Sequence, residues 1–401
     1  MLAVTGDHHQ QKEDDMKNTL DEVLAAGVKR GAVPGVVATV VDRDGVRYEG
    51  AFGERQIGSG VEMTTDTVGA IFSMTKAITG AAAMQLVEQG RLDLDAPASE
   101  VCEEIGAIGV LDGFDDSGQP VTRPPASPVT LRNLLTHTSG FVYDIWNEDM
   151  TRWHEVTGVP NILTLQKASL STPLMFDPGT RWQYGIGIDW AGQMVEKVSG
   201  QTLGEYFAEH LTGPLGMTDT AFAHNPTMLE RASAVHARMP DGTLAPIELP
   251  PPDDPQFEMG GGGLHGTMAD YGRFIRMILN DGELDGTRLL NADTVAQMAS
   301  NHIGNIRVES LHTAAPQFSN DAEFFPGEPK SWGLTFQINE APAATGRPAG
   351  TLMWAGLANS FFWIDRENGI GGAFLSQILP FVDSGSVDLF FELESAVYDS
   401  L

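Results

Sequence analysis

The chain has 401 residues, a formal net charge of −30 at pH 7, and 42% hydrophobic against 19% charged residues. That balance is ordinary for a folded globular protein and excludes a disordered one, and the length suffices for one large domain or two intimately packed ones. So acidic a surface repels nucleic acid and anionic membrane, so neither is an expected partner.

Residues 17–31 place apolar side chains at helical spacing and stop at Gly31 before Pro34, which predicts a helix. Residues 1–16, with His8 and His9, read as a flexible tail without the basic-then-apolar pattern of a signal peptide. No apolar run of about 18 residues exists for a membrane helix, and a cytoplasmic location is expected. "GVVATVVDRDGVRYEGAFG" predicts a hairpin turning at Asp44-Gly45, and "TKAITGAAAMQLVEQG" an apolar helix stopped by Gly90. A long section of helices and loops follows, to about residue 245, with "LPPPDDPQ" (249–256) as a surface loop. The glycine-rich "MGGGGLHG" precedes an amphipathic helix capped at Thr267. Strands return in "SWGLTFQIN", "GTLMWAG" and "SFFWIDRENGIGGAFLSQ", the last turning between Asp365 and Gly369.

Strands at both ends around a helical middle predict an α+β architecture, in which the terminal segments share one antiparallel sheet. The expected division is a discontinuous sheet domain over 17–72 and 260–401, with a mainly helical domain over 73–259. A substrate site belongs in the cleft between them.

One pair stands out in this lysine-poor chain. "IFSMTKAITG" places Ser73 three residues before Lys76, and the sequence contains no other Ser-x-x-Lys. Side chains three apart on a helix share a face. A serine becomes a nucleophile when a neighbouring base takes its proton, and a lysine is such a base when desolvation depresses its pKa. Ile71, Phe72, Met74, Ala77 and Ile78 supply that apolar setting. The plainer reading is a surface lysine beside a capping serine, and spacing alone does not decide between them.

Further segments add weight. "RWQYGIGIDWAG" sets Tyr184 among glycines, where a nearby ammonium would favour its phenolate. "TLMWAGLANSFFWID" sets Trp354-Ala355-Gly356 in a strand, where a glycine admits the close backbone approach of a ligand. Cys102, the only cysteine, lies among carboxylates in "EVCEEIG" and is expected to be inert. No His-x-x-x-His and no cofactor motif occurs, so neither metal nor cofactor is expected.

These segments, in this order and spacing, resemble the serine β-lactamase and penicillin-binding-protein superfamily. "LLTHTSGF" (134–141), "PLGMTDTAF" (214–222) and "GGGGLHGTMADYGRF" (260–274) look like framework segments of its class C-like branch, so the resemblance spans roughly residues 20–395. The chain looks most similar to family VIII carboxylesterases. The resemblance implies a β-lactamase-like fold with Ser73 as acyl-accepting nucleophile and Lys76 with Tyr184 as general base. It also implies an oxyanion hole made by the backbone N–H groups of Ser73 and Leu357.

The departures bear on substrate. Ile186 stands where lactamases commonly carry an asparagine, and Trp354 where they carry the lysine of Lys-Thr-Gly. Losing the amide and the cation favours a neutral, hydrophobic ester over a β-lactam acid or a peptide, with Trp354, Ala355, Gly356, Ile186 and Trp146 as expected substrate contacts. The loop "FVYDIWNEDMTRW" is expected to overhang the cleft, and an apolar, narrow site predicts short acyl chains. A β-lactamase or DD-peptidase-like activity and an acyltransferase using the same acyl-enzyme remain the alternatives. An α/β-hydrolase does not fit, because no Gly-x-Ser-x-Gly elbow occurs and His137 falls in a framework segment.

Overall fold

The computed structural model describes residues 4–401, with side chains from residue 14 onwards. Helix α1 (Val4–Lys29) starts earlier than the expected 17, so residues 4–16 are helical rather than a tail. The side chains of His8 and His9 lie outside the described residues. Gly31, at φ 74°, ends the helix, and the chain enters the hairpin β1 (Gly35–Asp42) and β2 (Val46–Gly53). Asp42 closes that turn by accepting hydrogen bonds from the Asp44 and Gly45 N–H groups. Helix α2 (Thr75–Glu88) follows, then α3 (Gly187–Ser199) and α4 (Met268–Leu279). Thr267 caps α4 by accepting from the Asp270 N–H, as its position predicts.

The C-terminal part returns to the sheet as β3 (Lys330–Trp332), β4 (Gln337–Asn339), β5 (Leu352–Gly356), β6 (Ser360–Asp365) and β7 (Ile370–Leu375), then closes with α5 (Ser384–Asp399). "SWGLTFQIN" is therefore two short strands rather than one. Thr335 takes φ 81° and the Gly333 N–H bonds back to Phe336, which folds the segment into a tight hairpin. All seven strands pair antiparallel in the order β3-β4-β5-β6-β7-β1-β2. The register Val37↔Leu375 joins the first strand of the chain to the last of the sheet, the discontinuous arrangement the sequence predicts.

The pleat sends alternate residues to opposite faces. Phe361 and Phe374 face α5, with the Phe361 ring stacked 4.7 Å from Phe390. Tyr48, on the same face, donates a hydrogen bond to Asp21 of α1. Phe362 faces the other way, 5.1 Å from Tyr271 of α4. Ser73 and α2 lie on this second side, where the Tyr271 hydroxyl donates to the Met74 carbonyl.

The middle stretch is less purely helical than expected. It carries a hairpin (Val110–Phe114 with Pro120–Arg123), and Val235–Arg238 pairs both with Leu244–Ile247 and, in parallel, with Ile378–Leu379. That small sheet crosses the expected boundary at 259 and ties the middle of the chain to its end. Residues 249–256 form a loop, mostly exposed. Among the described residues no helix is long and apolar enough to cross a membrane. Cys102 is buried, and burial, reinforced by Glu104, pushes its thiol up to about 11.

One ion pair fixes α5. Arg347 Nε and Nη2 donate to Glu394 at 2.5 and 2.8 Å with both side chains fully buried. The guanidinium also stands 4.7 Å from the Phe325 ring centroid. Removing one partner leaves the other as an uncompensated buried charge. Arg347→Ala is expected to cost about 3–5 kcal/mol in urea unfolding, with Arg347→Met/Glu394→Leu recovering most of the loss. A single-variant loss below about 1 kcal/mol, the level of a surface pair, would contradict this role.

Candidate active site

The site is built where α2 begins. Ser73 is not inside the helix but in a short 3₁₀ turn, Phe72–Met74, that precedes it. Phe72 takes φ 42°, a conformation of about 1–3 kcal/mol strain for a residue with a side chain, so the chain turns sharply just before the serine. Strand β5 holds that turn from the side. A Cβ on Gly356 would lie 2.3 Å from the Ile71 carbonyl oxygen and 2.3 Å from the Ser360 hydroxyl. The glycine therefore serves a close approach of backbone to backbone. Leu357, next in the chain, and Ser73 are both partly exposed.

Lys76 is fully buried. Its Nζ lies 3.0 Å from Ser73 Oγ, 3.0 Å from Tyr143 Oη and 2.5 Å from the Gly261 carbonyl oxygen. It also stands 4.7 Å from the Tyr184 ring centroid and 5.2 Å from that of Tyr143. Burial drives its pKa well below the usual 10.5, and the Asp189 carboxylate opposes that shift. The chemistry follows from valence. As an ammonium, Nζ donates to all three neighbours; once deprotonated, it keeps two N–H groups for Gly261 and Tyr143 and turns a lone pair to the serine hydroxyl.

Tyr184 is 1% exposed, and its Oη accepts a 2.9 Å hydrogen bond from Trp354 Nε1. Burial raises its phenol pKa above the usual 10, while hydrogen bonding with Ser73 and from Trp354 pulls the other way. The expected phenolate is thus not favoured: desolvation outweighs the hydrogen bonds, and the phenol keeps its proton. Tyr184 is placed to pass a proton, and Lys76 to take one.

The other expected residues divide. The Trp354 ring packs 4.8 Å from Tyr184, and Trp146 5.6 Å, the latter held by a 3.0 Å bond from its Nε1 to Ser319 Oγ. The Ala355 side chain points to the opposite face of the sheet from Trp354, beside Phe361. The Ile186 side chain is buried in the main core just before α3. In the loop expected to overhang the cleft, Trp153 instead packs in a separate cluster with Leu111, Val142, Met150 and Phe176. His137 is buried behind Tyr184, its ring 4.5 Å away and its Nδ1 accepting from the Gly185 N–H. Burial and the Lys76 charge hold it well below the usual imidazole pKa. Its hydrogen bond is to Gly185, not to Ser73.

Three residues with direct roles around Lys76 have no local signature. Tyr143 lies in the loop expected to overhang the cleft, but nothing in its neighbours distinguishes it from Trp146. Gly261 lies in the glycine-rich framework segment, and Asp189 accepts the Gly261 N–H at 2.7 Å from the first turn of α3. Only the fold brings them to the amine.

A family model described as Beta-lactamase matches residues 20–396. A protein of Penicillium rubens named lovastatin esterase is 33% identical, aligning 90% of this chain with 93% of its own. Monacolin J acid methylbutanoyltransferase of Aspergillus terreus is 29% identical over 94% of this chain and 95% of that one. The structure of unliganded simvastatin synthase from Aspergillus terreus superposes with a TM-score of 0.82 at 27% identity, covering 94% of this chain and 97% of that one.

Tyr143→Phe removes one of the three partners that orient the Lys76 amine. Covalent labelling of Ser73 by a fluorophosphonate should slow about tenfold, with the melting temperature little changed. An unchanged labelling rate would mean that the Tyr143 hydroxyl does not orient the base.

Proposed function

This chain belongs to the β-lactamase family, and from that premise we propose that it is a serine carboxylesterase acting on short, hydrophobic carboxylic esters through an acyl-enzyme on Ser73. The observation that carries the proposal is the buried Lys76 amine 3.0 Å from Ser73 Oγ. Lys76 takes the hydroxyl proton as Oγ bonds to the ester carbonyl carbon. Charge developing on the carbonyl oxygen is met by the Ser73 and Leu357 N–H groups, at the start of a helix and the end of a strand. As the tetrahedral intermediate collapses, the proton returns through Tyr184 to the leaving alkoxide, and water then attacks the acyl group by the reverse route.

The same premise argues the substrate class. Trp354 stands where the lactamases carry a lysine for the substrate carboxylate, and here its indole N–H is spent on Tyr184. Ile186 offers no amide. A β-lactam acid would therefore lose contacts of a few kcal/mol, on the order of a hundredfold in binding. The similarity to a lovastatin esterase supports ester chemistry. The similarity to a methylbutanoyltransferase favours a second reading, in which an alcohol rather than water accepts the acyl group. Hydrolysis and transfer share the acyl-enzyme and differ in water access.

Initial rates on 4-nitrophenyl butyrate and nitrocefin separate these readings. The ester should be the better substrate, and Ser73→Ala should lose at least about a thousandfold of that rate. Faster nitrocefin turnover would make the protein a β-lactamase. Excess butanol that diverts most of the acyl group into butyl butyrate would make it an acyltransferase. The ester rate should also fall as pH drops through the depressed Lys76 pKa, because the base works only when unprotonated.

A further inference from the structure

Asp189 plays no part in the chemistry described so far, yet it is 1% exposed and lies five residues after Tyr184. One carboxylate oxygen accepts the Gly261 N–H at 2.7 Å, and the other is buried with no hydrogen-bond partner. A carboxylate placed only to favour a helix N-terminus gains its benefit at the surface, where it stays hydrated. Buried and half-satisfied, such a group is retained only if something compensates it. The Lys76 ammonium does so, and its Nζ donates to the carbonyl of the same Gly261 that Asp189 holds by the N–H.

We propose that Asp189 is a positioning residue for Lys76: it clamps the Gly260–Gly261 segment so that the Gly261 carbonyl aims the amine at Ser73, and its charge sets the amine's proton affinity. The clamp has two further supports. The Thr79 hydroxyl donates to the Gly260 carbonyl at 2.7 Å, anchoring the segment to α2 one turn after Lys76. A Cβ on Gly261 would lie 2.5 Å from an Asp189 carboxylate oxygen, so the contact tolerates no side chain there. The groups facing the pair are Tyr143 and Tyr184 ahead of α3, with His137 beyond Lys76. Each stays neutral near pH 7, and among the described residues Asp189 is the charge that acts on Lys76, Asp144 acting on Tyr143 instead.

The inference rests on the Ser73–Lys76 reading, and its test separates the two. Asp189→Asn keeps an acceptor for the Gly261 N–H and removes the charge. The acidic limb of the fluorophosphonate labelling rate at Ser73 should then move about one pH unit lower, because the amine loses the anion that raises its pKa. Asp189→Ala removes the clamp as well and should lower the plateau rate on the order of tenfold to a hundredfold. Gly261→Ala attacks the clamp from the other side and should lower the same plateau, which keeps the proposal testable if the Asp189 variants fail to fold. If wild type labels at Ser73 and a folded Asp189→Asn shows an unmoved limb, or Gly261→Ala labels at the wild-type rate, the proposal fails. Wild type that does not label at Ser73 would instead overturn the nucleophile itself.

Discussion

A lysine amine held away from water is the constraint around which the site is organised. In the role proposed for it, Lys76 serves Ser73 only as a free amine, and in bulk water its pKa forbids that at neutral pH. Burial supplies the shift by disfavouring the ammonium. Burial also creates a need, because an amine without partners is costly in an apolar interior. Ser73, Tyr143 and Gly261 occupy all three of its hydrogen-bonding directions. The apolar α2 is thus a device for setting a proton affinity as much as a packing element.

The sheet makes this arrangement possible. Gly35–Asp42 and Ile370–Leu375 pair as neighbours although they come from opposite ends of the chain. Closing the chain on itself this way brings Leu352–Gly356 against the turn that presents Ser73. The approach is close enough that Gly356 admits no side chain, and the Phe72 backbone bears the strain of the turn. The same strand delivers Trp354 to Tyr184, joining the sheet to the middle of the chain by one indole hydrogen bond. That bond also explains a change of character at the position. An indole committed to the tyrosine presents an apolar wall where a cation would grip an anionic substrate.

Electrostatics works in opposite ways inside and out. Carboxylates at the hydrated surface are screened and interact weakly with one another. Within the site one carboxylate, Asp189, is buried, where its charge acts more strongly on Lys76 than it would through water. In the proposed reaction, hydrolysis and transfer would differ only in whether water or an alcohol attacks the acyl carbonyl. Under the mechanism proposed above, both routes would use the same amine, tyrosine and acyl-enzyme.

The sequence by itself determined the chemistry-bearing residues whose evidence is local or patterned. Ser73 and Lys76 lie three apart, and Tyr184 and Trp354 occur in segments that resemble a known framework. The hairpin at Asp44-Gly45 and the Thr267 cap were likewise written in a few adjacent residues, because turn and cap propensities act over short range. The tertiary structure alone decided how those residues are served. Tyr143 reaches Lys76 across 67 residues and Gly261 across 185, distances over which periodicity carries no information. It also decided that Ser73 sits in a strained turn before the helix and that Tyr184 keeps its proton, since strain and desolvation belong to the packed whole. Ala355 turns away from Trp354 for a simpler reason: the pleat alternates, and only the register of its strand says which face is which.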